Sequence, residues 1–163
     1  MTFLVDANFF IEAHRVTYPF DVVPSFWSKI AKAAHRGDIC SIDKVKAEIY
    51  KHEDELKEWC EVHLPDNFFK DSTTIINTYR EVALWANSRK DQYRPEALAV
   101  FLDAERADAW LVAYASENSM IVVTQEVSAP DSKKNIKLPD ACIDQIVPYN
   151  NTIEMLRALK IRI

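Results

Sequence analysis

The sequence predicts an α/β fold, a short central parallel sheet flanked by helices in three layers. Short apolar runs at residues 3–5, 39–42 and 120–123 each stop abruptly at a polar residue, as buried central strands do. Long stretches with helical spacing lie between them, and strands separated by helices pair in parallel. The 163 residues, 48% hydrophobic and 28% charged, suffice for one domain with a core, spanning 1–163.

In chain order, Phe3-Leu4-Val5 opens the sheet and ends at Asp6. A helix Phe9 to His14 follows, and Asn8 either N-caps it or orients Asp6 by a hydrogen bond. Helical spacing covers 26–36, and the second strand is Ile39-Cys40-Ser41-Ile42. Further helices are expected over 43–63, 71–89, 95–102 and 104–117. The stretch from about 51 to 100 holds no convincing strand, so it reads as a helical excursion packed on the sheet, broken at Pro65-Asp66-Asn67. Met120 to Val123 forms the third strand, 127–139 an exposed loop leading into a short strand, and 152–160 a last helix.

Composition excludes several classes of function. Gly37 is the only glycine, so the Gly-rich phosphate loops of dinucleotide-binding and Walker-type proteins are absent. Lys plus Arg number 20 against 25 Asp plus Glu, a net charge of -5, so any contact with nucleic acid must be local. Cys40, Cys60 and Cys142 fit neither a disulfide framework nor a close-spaced zinc site and read as reduced, buried thiols. His14, His35, His52 and His63 lack zinc-ligand spacing. No leader and no membrane-length apolar run stands out, so a cytoplasmic protein with no membrane partner is expected.

The chemistry lies in the acids. Ligands of an open parallel sheet bind beyond the carboxyl ends of its strands. Asp6 follows the first strand, Glu48 sits on the helix after the second, and Glu126 lies two residues past Thr124 at the end of the third. Asp108, in the expected helix 104–117, shares a stripe with Ala104, Leu111 and Ala115 that should face the sheet. A carboxylate there loses hydration and needs a cation or hydrogen-bond donors in exchange. If the four acids converge, each pair about 5 Å apart repels by roughly 3 kcal/mol at an effective dielectric constant of about 20. An all-oxygen ligand set favours Mg2+ or Mn2+, which also bind phosphate oxygens, so the pattern points to phosphodiester chemistry.

Taken in order, Leu4-Val5-Asp6-Ala7-Asn8, Ser41 to Ile49 with its Glu48, Ala107-Asp108-Ala109-Trp110 to Ala115, and Val122-Val123-Thr124-Gln125-Glu126 resemble the PIN-domain ribonucleases over nearly the whole chain. Further marks resemble a branch related to toxin-antitoxin ribonucleases: Tyr18-Pro19-Phe20, Pro24-Ser25-Phe26-Trp27 and Leu138-Pro139-Asp140-Ala141-Cys142. The resemblance implies a PIN-like fold and a divalent-metal-dependent endoribonuclease, often a toxin paired with an antitoxin protein, and homodimerisation. It carries Asp6, Glu48 and Asp108 over as catalytic metal ligands, with Glu126 at the fourth acidic position. Many PIN nucleases have Asp where this chain has Glu126.

Asn8 and Thr124 are candidate supports of the acids, and Arg15, Lys44, Lys46 and Arg106 candidate contacts for RNA phosphates. Lys133, Lys134 and Lys137 lie in a loop that flanks the same edge. Asp103 reads as a helix N-cap, as does Asp43. Trp27, Trp59, Trp85 and Trp110 read as core or partner-facing packing. The alternative function is a non-catalytic PIN-like RNA- or protein-binding module. A third reading, a phosphatase with Asp6 as nucleophile, wants a second acid two residues later, where Asn8 stands.

Overall fold

All residues, 1–163, are described by a computed structural model. The strands β1 (Phe3–Val5), β2 (Ile39–Ile42), β3 (Phe69–Lys70), β4 (Ile121–Val123) and β5 (Tyr149–Asn150) form one sheet in the order β3-β2-β1-β4-β5. Every pairing is parallel. β1 and β2 are wholly buried, which explains their unbroken apolar sequences. In the register of the central pair, Phe3 lies beside Ile121, Leu4 beside Val122 and Val5 beside Val123.

The helices are α1 (Ala7–Glu12), α2 (Pro24–Arg36), α3 (Asp43–Tyr50), α4 (Glu55–His63), α5 (Ile76–Ser88), α6 (Pro95–Phe101), α7 (Asp108–Asn118), α8 (Leu138–Asp144) and α9 (Thr152–Ala158). Together with the sheet they enclose one core of 43 buried apolar residues. α7 is buried almost all round through Ala109, Trp110, Leu111, Val112, Ala113 and Ala115, with α5 packed along it. No helix is long and apolar enough to cross a membrane.

Several expectations are corrected. The sheet has two further strands, β3 and β5, whose two residues each are too few to show a pattern. Residues 127–139 lead into α8 and not into a strand: Pro139 sits in the first turn, where its missing N–H is harmless. The stretch 43–63 is two helices, because Asp54 caps α4 by accepting from Lys57 N–H at 3.1 Å. Over 71–89, a short 3-10 turn at Thr73–Ile75 precedes α5. The first helix begins at Ala7 and is capped by Asp6, not Asn8, and its last turn widens into a π-helical turn at Ala13–Thr17.

The helix expected from 104 begins at Asp108. Asp103 instead accepts from Glu105 N–H at 3.0 Å, a local turn that holds the chain out of the helix, so Ala104 is exposed and shares no stripe with Asp108. Asp43 is the first residue of α3, not its cap, and it accepts from the Ser72 hydroxyl at 2.6 Å, tying α3 to the segment after β3. Cys40, Cys60 and Cys142 are buried and unpaired, and burial pushes their thiols up, that of Cys40 to about 11.

The lone Gly37 ends α2 at φ 81°, where a left-handed residue closes the helix. Without other glycines, the chain uses Ile146 at φ 56° just after α8, 93% exposed. A β-branched residue there is strained by about 1–2 kcal/mol, of which glycine's greater freedom when unfolded returns part. Ile146→Gly is expected to raise the melting temperature by about 2–4 °C in thermal denaturation.

Candidate functional site

In the order β3-β2-β1-β4-β5 the chain runs outward from β1 in one direction and from β4 in the other. The connections diverge between β1 and β4, and a crevice opens beyond their carboxyl ends. Asp6 and Thr124 are the first residues past these neighbouring strands, and Asp6 N–H donates to Val123 O at 3.2 Å.

Asp6 is 4% exposed. Its Oδ1 accepts from Phe9 N–H at 2.7 Å, and the nearby Thr124 hydroxyl favours its charged form. The same hydroxyl accepts from Glu126 N–H at 3.1 Å. One buried Thr thus stands between the acids that follow the two central strands, its hydroxyl bonded to the backbone of one and acting on the carboxylate of the other.

The two glutamates are each held through one oxygen. Glu48 Oε1, on α3, accepts from Ala107 N–H at 3.0 Å, just ahead of α7. Glu126 Oε2 accepts from Leu138 N–H at 2.7 Å, the first residue of α8. Both satisfy backbone donors that a helix start leaves unpaired. Asp108, first residue of α7, is half-buried and has no such donor.

Burial, first, and then Glu126, Asp6 and Glu48 push the Asp108 carboxyl up to about 7, with Arg106 opposing. Asp6 is likewise pushed up to about 7, mainly by burial, with Glu126 and Glu48 adding and the Thr124 and Phe9 hydrogen bonds opposing. Glu126 and Glu48 thus act on both Asp6 and Asp108, and Asp6 acts on Asp108, so the acids lie within electrostatic reach of these two. No group of three or more His, Cys, Asp or Glu side chains stands in coordination geometry.

A cleft of about 380 Å³ opens over Glu48, Asp108 and Glu126, with Asp6 buried beside it. Arg106, Lys134 and Lys137 also line it, as does Glu96 of α6, which sequence reasoning missed because it belongs to no motif. Asn8 is exposed on the rim, and the hydrogen bond to the Asp6 carboxylate comes from Phe9. Arg15 is exposed on the π-helical turn. The Lys44 ammonium lies 5.2 Å from the Trp110 ring centre, and that of Lys46 lies 5.3 Å from the Tyr50 ring centre. None of these three basic residues lines the cleft.

The largest cavity, about 840 Å³ between α2 and α4, lies elsewhere, lined by Phe20, Trp27, Trp59 and Val62. No carboxylate lines it, and the acidic residues singled out in the sequence line the smaller cleft instead or, for Asp6, lie buried.

Fold and site together define an all-parallel α/β protein with a carboxylate-lined crevice at its strand switch point. The chain belongs to the family described as a domain of unknown function (DUF4411), whose model matches residues 3–163. No curated protein and no solved structure matches it significantly.

Proposed function

We propose that the chain is a PIN-like endoribonuclease that hydrolyses RNA phosphodiester bonds with Mg2+ or Mn2+. One observation carries the reading: Asp6 is buried directly past β1, and the cleft at the switch point is lined by Glu48, Asp108 and Glu126, carboxylates from three further segments. An all-oxygen, acidic donor set fits a hard divalent ion. Asp6, Glu48, Asp108 and Glu126 would hold it. When bound, the ion supplies charge neutralisation at phosphoryl oxygens and acidifies water.

The chain's own groups do the rest. Thr124 accepts from Glu126 N–H and favours the charged form of Asp6. Glu48 and Glu126 each anchor one oxygen on a helix start, which limits their rotation and leaves the second oxygen available. Arg106, on the cleft wall, offers a donor fork to a phosphate oxygen.

Purified protein is expected to cut single-stranded RNA in Mn2+ or Mg2+ and not in chelator, and to release heat when titrated with Mn2+. A second reading, a PIN-like module that binds RNA or a protein without cleavage, is favoured by Glu126 Oε2 being engaged by Leu138 and by the lack of a ready coordination set. RNA binding unchanged in chelator, with no heat from Mn2+, would establish it. The antitoxin partner is tested on the adjacent open reading frame, where a small gene with a DNA-binding segment is expected.

A further inference from the structure

Residues 127–137 join β4 to α8 and are fixed at both sides. At the α8 side, the carboxylate of Asp140, 6% exposed, accepts from the Ser128 hydroxyl at 2.5 Å and from Ala129 N–H at 2.9 Å. One step outward, Glu126 and Leu138 close the base of the segment. On the far side, Gln92 Nε2 donates to Pro130 O at 2.6 Å and to Ser132 O at 3.2 Å, and Arg94 N–H donates to Lys133 O at 2.9 Å. The segment is therefore a braced arm with no glycine in it.

The arm carries Lys133, Lys134 and Lys137, and the last two line the same cleft as Glu48 and Asp108. No ion pair of the chain includes any of the three. The cleft thus brings acidic and basic side chains together, in a protein whose net charge is -5. Ammonium groups held without carboxylate partners at a cleft edge suit an anionic ligand that reaches across it. At about 380 Å³, the cleft is at the small end of ligand sites, which suits one unpaired strand.

We infer that the 127–137 arm grips the phosphates flanking the scissile bond of a single strand through Lys134 and Lys137, and that Asp140 is the positioning residue that holds the arm there. The inference rests on the endoribonuclease reading of the acidic side chains. It gives the Leu138-Pro139-Asp140-Ala141-Cys142 motif a function: its first residue fixes Glu126, and its Asp fixes the arm.

The test is equilibrium binding of fluorescent 12-nucleotide U and dT strands to the full chain, in chelator, over a range of salt, with RNA cleavage measured in Mn2+. For Lys134→Gln/Lys137→Gln, the slope of log affinity against log salt is expected to fall by about 0.7 per lysine, equally for both strands. Affinity is expected to drop about 10-fold, and KM to rise with kcat little changed. Asp140→Ala removes the acceptor of both the Ser128 and the Ala129 bonds and is expected to lower the salt slope too, a change that general loosening of the fold would not produce. Lys32→Gln, on α2, is the control.

An unchanged slope and KM in the double lysine variant overturns the arm while leaving cleavage in place. Lysine-dependent binding without cleavage in any metal supports the arm and overturns the nuclease reading. Failure of the wild type to bind either strand overturns the arm.

Discussion

Asp108→Asn and Asp6→Asn are each expected to lower metal-dependent RNA cleavage on the order of 10³-fold, measured as kcat/KM in Mn2+. The loss should come without loss of fold. Asn is as good an N-cap as Asp, so Asp6→Asn keeps the bond from Phe9 N–H that starts α1. Both substitutions remove one charge from a mutually repelling set. In chelator they are expected to raise the melting temperature by about 5 °C, as relief of roughly 2 kcal/mol would. Mn2+ at about 100 times its Kd should stabilise the wild type by about 2.7 kcal/mol and the variants by much less. Equal activity in Asp108→Asn, or unchanged melting in both comparisons, would remove that residue from the site.

The second large effect is on pH. Asp6 and Asp108 are pushed from the usual carboxylate range to about 7. Between about pH 4 and pH 7 the unfolded chain has lost these protons while the native protein keeps them, so stability falls as pH rises through this window and levels off above it. A rise from 3.8 to about 7 at Asp6 corresponds to roughly 4 kcal/mol. The metal-free protein is expected to melt on the order of 10 °C lower at pH 8 than at pH 5. Mn2+ reverses the trend, because it competes with the protons and binds better as they leave. Calorimetric melting from pH 5 to pH 8, with and without Mn2+, checks both signs, and Asp6→Asn should flatten the curve in chelator.

The central strands and the helices α2 and α9 were legible because burial on both faces, or helical spacing with clear ends, leaves a mark in a few residues. β3 and β5 left none, since two residues joined at the sheet edge obey no pattern. α8 was hidden by Pro139, which reads as a breaker unless it falls in the first turn. The stripe that marks Asp108 is formed by Leu111 and Ala115, both buried on α7, but not by Ala104, which is not helical. Asp108 is half-buried because α7 is apolar all round and inserts its first residue beside the sheet. Asp6 was legible because a charged residue directly after a buried strand has few places to go. The partners of Glu48 and Glu126 were not legible, since Ala107 and Leu138 contribute only backbone N–H groups, which every residue has. Of the basic residues, Arg106, Lys134 and Lys137, all outside helices, reach the cleft, while Lys44 and Lys46 of α3 lie over aromatic rings.

The pairing of Val5 with Val123 sets a tolerance for length changes along the chain. Adding or deleting one residue within β1 or β4 would turn Asp6 or Thr124 to the opposite face and separate them, even if the sheet reassembled. The 127–137 arm is bound at both ends by side chains, so an extra residue at its exposed tip would leave Glu126 and Leu138 where they are. Natural variants that differ in length are therefore expected to differ in the arm and to keep the strand lengths constant.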